Sequence, residues 1–340
     1  MNRPKVLITD HAWPDLSIER QALEAAGLDV VAGPAAPAPA EHIAALCREH
    51  QPVSILTCWA QVQRAAIDAV PGLRHVGRLG VGLDNIDVRA CTERGIPVTN
   101  VPDYCFEEVS DHALALALAW SRGIVAFDRR VRAGEWNPAA ARLRRMARLT
   151  VGVVGYGRIG QATARKFRAF GSEVLVHTRT VPTETDGLDF VALDALLARS
   201  DVVVLNLPLT PATQHLFDAA RIASMKAGSL LINLSRGGVV DTQALIDALD
   251  RGHLAGAGLD VLESEPAVPP ALLRHEQVVI TPHVAFSSDA SLEELRQRGA
   301  EEAIRALRGE PLRYGCNGTP SFVGAAASAA IRATPGAHRG

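Results

Sequence analysis

Three glycines at fixed spacing are the first feature of the sequence that could bind a ligand. Gly155-Tyr156-Gly157-Arg158-Ile159-Gly160 matches the pattern G-x-G-x-x-G between an apolar run, Val151 to Val154, and a helical pattern that begins at Arg158. In that context the first glycine permits a tight turn, the second lets the backbone approach a pyrophosphate, and the third lets the helix pack on the strand. The helix N-terminus attracts the anion. The motif predicts a dinucleotide site, and the alternative is a glycine-rich turn without a ligand.

The residues after the second strand of this series indicate which dinucleotide binds. NAD-binding versions place Asp or Glu there, about twenty residues beyond the glycines, on the 2′-hydroxyl of the ribose. This chain has His177-Thr178-Arg179-Thr180 instead. Because a guanidinium can pair bidentately with a 2′-phosphate, these residues favour NADPH over NADH. The alternative is that Arg179 points into solvent or stacks on the adenine while NAD binds.

Three later segments carry residues capable of chemistry, each at the end of a predicted strand. They are Leu234-Ser235-Arg236-Gly237-Gly238, Leu259-Asp260-Val261-Leu262-Glu263-Ser264-Glu265-Pro266 and Thr281-Pro282-His283-Val284-Ala285. Ligands of open α/β sheets bind outside the carboxyl ends of the strands. We therefore expect a cation, carboxylates and a histidine to converge beside the nicotinamide.

Two series of short apolar strands and helical patterns must position these residues. The first series starts at Val6-Leu7-Ile8 and the second at Thr150. Strands that alternate with helices indicate βαβ units, and near-continuous apolar strands suit sheets covered on both faces. The Ala/Leu-rich run from Asp111 to Trp120 is predicted as a buried helix, since Ala and Leu are strong helix formers. The predicted fold class is α/β, with two doubly wound parallel-sheet domains.

Composition and charge exclude several classes of protein. Of the 340 residues, 48% are hydrophobic and 21% are charged, which is typical of globular enzymes and not of disordered chains. A formal net charge of -2 gives no electrostatic basis for binding nucleic acid. We expect no membrane partner, because no apolar run is long enough to span a bilayer and the N-terminus lacks a secretion signal. Five scattered cysteines predict neither disulfides nor a metal site, and favour the reducing cytoplasm.

Taken together, these motifs resemble the D-isomer-specific 2-hydroxyacid dehydrogenase family over about residues 50 to 314. Within the family, three segments are similar to the branch of C-terminal-binding-protein-like dehydrogenases: Val101-Pro102-Asp103-Tyr104-Cys105, Glu107-Glu108-Val109 and Pro282-His283-Val284-Ala285-Phe286. Phe286 departs from the eukaryotic corepressors, which resemble each other in having Trp there. We expect a Rossmann cofactor domain at 101–285, inserted into a flavodoxin-like substrate domain at 1–100 plus 286–318. A disordered tail is predicted at 319–340.

The resemblance implies a role for each residue at the strand ends. Arg236 would bind the substrate carboxylate and polarise the keto oxygen, His283 would protonate that oxygen as general acid, and Glu265 would hydrogen-bond His283. These roles suit the residue types, because Arg recognises a carboxylate at two points and a carboxylate partner keeps an imidazole charged until it donates. Asp260 would hold the nicotinamide carboxamide. The expected contacts with the cofactor further include residues 155–160 and 178–180, Leu207, Pro208, Leu234 and Ser235, and those with the substrate include Arg78, Leu79 and Gly80.

The predicted function is NAD(P)H-dependent reduction of a small 2-oxo acid to its D-2-hydroxy acid. The resemblance also implies a homodimer, formed through the helix from Val109 to Trp120 and the segment after it. Two alternatives are a corepressor-like protein that senses the dinucleotide without turnover, and a dehydrogenase of the same fold that acts on formate or phosphite. The particular 2-oxo acid stays open, although arginines at Arg78 and Arg142 to Arg148 would favour a second anionic group. Glu263 is predicted to be solvated.

Overall fold

The chain divides into two compact units. The computed structural model describes residues 3–11 and 13–321. One unit is Cys105–Ser287, and the described residues before and after it form the other. The domain boundaries predicted after residues 100 and 285 therefore fall after 104 and 287. Asp103 stays with the first unit because it accepts hydrogen bonds from Arg298 and Tyr314. From residue 322 onward, the predicted tail lies outside the described residues.

Short strands and helices alternate along nearly the whole described chain. The strands are β1 (Lys5–Ile8), β2 (Asp29–Ala32), β3 (Ser54–Thr57), β4 (His75–Arg78), β5 (Val98–Thr99), β6 (Thr150–Val154), β7 (Glu173–His177), β8 (Asp189–Phe190), β9 (Val202–Leu205), β10 (Ser229–Asn233), β11 (Leu254–Leu259) and β12 (Val278–Ile280). The helices are α1 (Ser17–Ala25), α2 (Ala40–His50), α3 (Arg64–Asp68), α4 (Val88–Glu93), α5 (Phe106–Arg122), α6 (Ile124–Arg132), α7 (Arg158–Ala169), α8 (Leu193–Arg199), α9 (Ala219–Ser224), α10 (Thr242–Asp250), α11 (Pro270–Leu273) and α12 (Asp289–Arg308).

The first unit carries a parallel sheet in the order β2-β1-β3-β4-β5. This is the flavodoxin-like strand order. The apolar runs of β1 and β3 are buried because helices cover the sheet, and Leu7, Ile55 and Val76 are 0% exposed in its core. The predicted flavodoxin-like fold of this unit is confirmed.

The second unit carries a parallel sheet in the order β12-β11-β10-β9-β6-β7-β8. Its chain order reverses between β6 and β9, which is the topological switch point of a Rossmann fold. Because neighbouring strands are parallel, the carboxyl ends of β6, β9, β10, β11 and β12 lie along one edge of the sheet. The predicted Rossmann domain is confirmed, and every predicted functional segment of this unit follows one of its strands.

The Ala/Leu-rich run forms α5, as the composition predicts. The helix ends at Gly123, which adopts a left-handed conformation with φ of 63°. It packs closely on β11, since a Cβ added to Gly256 or Gly258 would lie 3.1 Å from the side chain of Trp120 or Leu116 respectively. The apolar face of α5 therefore belongs to the core of its own unit.

Three further properties concern thiols, metals and membranes. All five cysteines are free thiols, and four of them are buried. Within residues 3–11 and 13–321, no group of three or more His, Cys, Asp or Glu side chains could hold a metal ion together. Nor does any helix of that part of the chain combine the length and apolar character needed to cross a bilayer.

Candidate active site

The glycine turn joins β6 to α7 and leaves its middle glycine open. Gly155 has φ of 97°, and an added Cβ there would lie 2.2 Å from Asn206 O. A Cβ on Gly160 would lie 2.0 Å from Gly155 O, so the helix could not approach the strand. A Cβ on Gly157 would meet nothing within 4 Å. The first and third glycines are thus needed for packing, and the second leaves backbone exposed at the N-terminus of α7, as a pyrophosphate requires.

The end of β7 presents a cation and hydroxyl groups. Thr178 is partly buried, while Arg179 and Thr180 are exposed. In the part of the chain that the structure describes, Arg179 forms no hydrogen bond or ion pair. His177 is anchored, since its Nδ1 lies 3.1 Å from Val191 O. The guanidinium is therefore the group at this strand end that could meet an anion.

A buried asparagine shapes the turn that carries Arg236. Asn233, the last residue of β10, is 1% exposed. Its Nδ2 donates to Arg236 O at 2.9 Å, and its Oδ1 accepts bonds from Ser235 N at 3.1 Å and Ser235 Oγ at 2.8 Å. The Arg236 Nη1 donates to Ser235 O at 2.9 Å. The turn is thereby fixed from inside the sheet, and Arg236 stays half-buried.

Asp260 organises the turn that carries His283. Asp260 is 2% exposed, and its carboxylate accepts bonds from Thr281 Oγ1 at 2.6 Å, Val284 N at 2.9 Å and Ala285 N at 2.9 Å. The Asp260 carbonyl accepts a bond from His283 N at 2.8 Å. Asp260 therefore holds the ends of β11 and β12 together and fixes the backbone on both sides of the histidine.

His283 and Glu265 form a hydrogen-bonded pair. His283 Nδ1 lies 2.9 Å from Glu265 Oε2, and Leu262 N donates to Glu265 Oε1 at 3.0 Å. Partial burial raises the pKa of Glu265, but the bond from His283, the Leu262 N–H and the charge of Arg236 outweigh it and lower the pKa overall. Because a carboxylate only accepts, Nδ1 of His283 carries the hydrogen and Nε2 remains for a ligand.

The backbone at His283 is strained as well as fixed. Its φ of 53° lies in the left-handed region, which is uncommon for a residue with a side chain. Such strain persists only where surrounding contacts hold it, and it concentrates at functional sites. Here the bonds to Asp260 hold it. His112 of α5 extends this network, since its Nε2 lies 3.0 Å from Thr281 Oγ1.

Glu263 is not simply solvated, contrary to the prediction. Its Oε1 lies 2.5 Å from His215 Nε2, and its Oε2 accepts a bond from Thr242 N at 3.0 Å. The carboxylate is held in the fold by a second histidine and by the first N–H of α10. These two partners are 48 and 21 residues away in sequence, respectively.

The remaining predicted residues fall in separate places. Leu207 and Pro208 follow β9, where Asn206 N donates to Val154 O at 2.8 Å beside the glycine turn. Arg78 ends β4 in the first unit and is 8% exposed, and Leu79 and Gly80 follow the strand. Of the basic segment, Arg144 stacks on Trp120 with its guanidinium carbon 4.5 Å from the ring centroid.

Comparison with known proteins identifies the family. Residues 114–285 match the model of the D-isomer specific 2-hydroxyacid dehydrogenase, NAD binding domain. The chain is also 40% identical over 260 residues to a glyoxylate reductase of Pyrococcus horikoshii, an alignment that spans 74% of this chain and 78% of that protein.

This chain belongs to the D-isomer-specific 2-hydroxyacid dehydrogenases. As a member of this family it is an oxidoreductase with a domain for a pyridine nucleotide. The narrower likeness to the C-terminal-binding-protein branch stays a prediction.

Solved structures of relatives cover nearly the whole dehydrogenase. A glyoxylate reductase from Paecilomyes thermophila aligns with a TM-score of 0.83 at 31% identity, over 93% of this chain and 98% of that one. An NADPH-dependent glyoxylate/hydroxypyruvate reductase from Sinorhizobium meliloti, in complex with NADP and malonate, aligns with a TM-score of 0.82 at 32% identity, over 94% and 98%. Both are similar to this dehydrogenase in both of its units.

Within the second unit, the structure brings most of the predicted site residues of the dehydrogenase to one sheet edge. Sequence reasoning missed two groups there. Asn233 gave a weak signal, as a polar residue that ends the apolar run Leu230-Leu231-Ile232. His215 gave none, because its partner Glu263 lies on a different segment and only the folded sheet brings them together.

Proposed function

We propose that this dehydrogenase reduces a small 2-oxo acid to the D-2-hydroxy acid with NADPH. The observation that carries the proposal is the His283–Glu265 pair, with Nδ1 and Oε2 2.9 Å apart, at the sheet edge that also holds Arg236 and the glycine turn. A fixed cation and a proton donor on one carbonyl are what reduction of a 2-oxo acid needs.

In the proposed mechanism Arg236 binds the substrate carboxylate and keto oxygen, because guanidinium offers planar two-point recognition. When bound, the nicotinamide supplies a hydride to the keto carbon. The proton on Nε2 of His283 passes to the keto oxygen, which becomes the hydroxyl group of the product. Glu265 stabilises the charged imidazole before donation and fixes its orientation through Nδ1–H. Arg236 stabilises the negative charge that develops on the oxygen.

The proposal assigns the cofactor to the glycine turn and the strand ends beside it. The open backbone at Gly157 would bind the pyrophosphate, and Asp260 would accept a bond from the carboxamide. Asp260 Oδ2 accepts one bond, from Ala285 N, so a lone pair remains for this purpose. The other proposed contacts are Gly155, Tyr156, Arg158, Ile159, Gly160, Thr178, Arg179, Thr180, Leu207, Pro208, Leu234, Ser235, Arg236 and His283.

The preference for NADPH rests on Arg179. Its exposed guanidinium, unpaired within the described residues, is suited to a 2′-phosphate. In Arg179→Ala, the ratio of kcat/KM with NADPH to that with NADH should fall by about tenfold or more, the loss expected for a charged hydrogen bond. Arg199→Ala is the matched control, because Arg199 is an exposed arginine of the same unit that pairs with Glu173 at 2.9 Å. An unchanged ratio in Arg179→Ala would contradict the NADPH assignment.

The surroundings of Arg78 favour an anionic ligand at the loop Arg78-Leu79-Gly80. Its Nη1 donates to Leu79 O, its Nε has no partner, and no carboxylate within the described residues forms an ion pair with it. Burial raises the pKa of the neighbouring Cys58 thiol to about 12, so the thiol supplies no counter-charge either. A buried cation without a counter-charge is costly. We propose that the substrate supplies the anion, either through its carboxylate or through a second anionic group.

The test is oxidation of NADPH, and separately of NADH, across a panel of 2-oxo acids. The panel runs from glyoxylate and hydroxypyruvate to aryl pyruvates and to phospho- and phosphonopyruvates. Turnover supports the proposal, and preference for doubly charged members would indicate a second anion at Arg78. Cofactor binding without turnover would favour a dinucleotide sensor. Reduction of NADP by formate or phosphite alone would favour the other dehydrogenases of this fold.

We further propose a homodimer in the cytoplasm. Large apolar side chains are exposed on α6 and just after it, with Ile124 57%, Val131 48% and Trp136 83% exposed. A second copy would cover this surface, on the segment that follows α5. The free thiols suit a reducing compartment. The test is the molar mass in solution, measured by light scattering. The wild type should have the mass of a dimer, and Trp136→Ser should shift the mass towards that of the monomer because it weakens the interface.

A further inference from the structure

The site contains a second histidine–carboxylate pair, between His215 and Glu263. Nε2 of His215 and Oε1 of Glu263 lie 2.5 Å apart. The other oxygen of Glu263 accepts a bond from Thr242 N at 3.0 Å. The side chains are 42% and 29% exposed respectively, so the pair is half-buried. Glu263 precedes Glu265 by two residues on the same loop, and its partners come from two other segments.

The His215 segment runs beside the residues that follow Arg236. His215 N donates to Gly238 O at 2.8 Å, and Phe217 N donates to Val239 O at 3.0 Å. His215 itself has φ of 47°, a left-handed conformation that a side chain disfavours and that these contacts hold in place. The histidine is thus fixed through its backbone to the turn that carries Arg236.

The Glu263 loop also approaches the turn that carries Arg236. A Cβ added to Gly237 would lie 2.0 Å from Leu262 O and 2.4 Å from Glu263 N, so only a glycine allows the two backbones to come this close. Leu262 N also donates to Glu265 Oε1 at 3.0 Å. The backbone around Glu263 therefore contacts the neighbour of Arg236 and holds Glu265.

We propose that Glu263 is a positioning residue, which with His215 and Thr242 N sets the place of the Glu265 loop relative to Arg236. This inference rests on the proposed function only for its effect on turnover. An exposed ion pair would contribute little to stability. The distinctive feature here is that one carboxylate joins its own loop, which carries Glu265, to the N-terminus of α10 and to the His215 segment, which is bonded to the residues after Arg236. Displacement of about 1 Å between reacting groups can reduce turnover by about a hundredfold.

The carboxylate has the charge that this role needs. Partial burial raises the pKa of Glu263, but the bonds from Thr242 and His215 outweigh burial and lower the pKa overall. Glu263 is therefore ionised at neutral pH. A carboxylate has no hydrogen to give, so His215 Nε2 donates. Glutamine keeps one accepting oxygen and should preserve part of the arrangement, whereas alanine removes it.

The test compares full-length Glu263→Ala, Glu263→Gln and His215→Phe with Glu276→Ala. The control residue Glu276 is an exposed carboxylate of the same unit that pairs with Arg130 at 2.6 Å. In Glu263→Ala and His215→Phe, kcat for the best 2-oxo acid should fall by about tenfold or more. The Kd for NADPH, measured by fluorescence, should stay within about threefold, because most of the proposed cofactor contacts lie at the glycine turn and after β7, on segments that the pair does not touch. Glu263→Gln should recover part of the loss.

A second measurement does not depend on turnover. The Nδ1–H of His283, bonded to Glu265, should give a downfield proton resonance in histidine-labelled protein, assigned by its loss in His283→Gln. We expect Glu263→Ala to shift or broaden it, and Glu276→Ala to leave it unchanged. If Glu263→Ala matches Glu276→Ala in both kcat and this resonance, Glu263 is a surface ion-pair residue and the inference is wrong. If the wild type reduces no 2-oxo acid, the proposed function fails, and the resonance still decides the inference.

Discussion

The substitution Asp260→Asn should destabilise the dehydrogenase by about 3 kcal/mol. The carboxylate is 2% exposed and accepts three bonds, two on Oδ1 and one on Oδ2. An amide nitrogen in place of either oxygen faces a backbone N–H, of Val284 or of Ala285, and leaves it without an acceptor, at a cost of about 1–3 kcal/mol. The bonds that remain become neutral and lose about 1 kcal/mol each. Urea unfolding followed by tryptophan fluorescence measures the sum.

Asp250→Asn is the control for Asp260→Asn. Asp250 is 52% exposed and pairs with His275 at 3.1 Å, so its substitution should change the free energy of unfolding by less than about 0.5 kcal/mol. The kcat of Asp260→Asn should fall as well, because Val284 N and Ala285 N fix the turn on which His283 sits. The reasoning is refuted if Asp260→Asn and Asp250→Asn have the same urea midpoint and the same dependence of the unfolding free energy on urea concentration. The carboxylate would then not hold this turn.

Three further substitutions test other parts of the structure. Glu265→Gln should lower kcat by about 10²- to 10⁴-fold, because His283 loses the charge that stabilises its imidazolium; a kcat within about threefold of the wild type would contradict this role. Burial lowers the pKa of His75 to about 3, while the unfolded chain takes up this proton near pH 6.5. As pH falls from about 6.5 towards 3, the free energy of unfolding should therefore decrease by about 1.4 kcal/mol per pH unit from this residue. His75→Asn should reduce this dependence of the unfolding free energy on pH by the amount that one proton contributes. An equal dependence in the variant and the wild type would contradict the prediction. Arg296→Met leaves the carboxylate of Glu19, which is 0% exposed, without the two bonds of 2.9 and 2.8 Å that it now accepts. Urea unfolding should show a loss of about 3–5 kcal/mol, and a loss below about 1 kcal/mol would show that Glu19 finds another partner.

Local patterns in the sequence were sufficient to predict the parts of the fold that depend on local chemistry. The apolar run before Gly155 and the helical pattern after it specify the strand–turn–helix unit, because Gly155 and Gly160 allow the close packing that this unit needs. The helix α5 follows from its Ala and Leu content. Its neighbour α6 was missed, because Gly123 ends α5 and also begins α6, whereas a glycine is usually taken only as a helix end.

Contacts between distant segments could not be predicted in this way. The strand β8 has only two residues, and it is a strand because it pairs with β7. Similarly, a charged residue such as Glu263 is expected from sequence to be solvated. Its contacts with His215 and the N-terminus of α10 exist only in the folded structure. Asn233 is another such residue, since its contribution comes from hydrogen bonds with Ser235 and Arg236 that its residue type alone does not reveal.

The loop after β11 shows how the same functional group, a carboxylate, can have three different roles. Asp260 is buried and accepts bonds from the backbone that follows β12, Glu263 faces His215, and Glu265 faces His283. Because each carboxylate contacts a different segment, their roles should separate experimentally. Loss of Asp260 should affect stability most, loss of Glu265 should affect the chemical step most, and loss of Glu263 should affect turnover through the placement of Glu265. The double variant Glu263→Ala/Glu265→Gln should therefore lose less activity than the two single losses combined, since residues that act through one another are not additive.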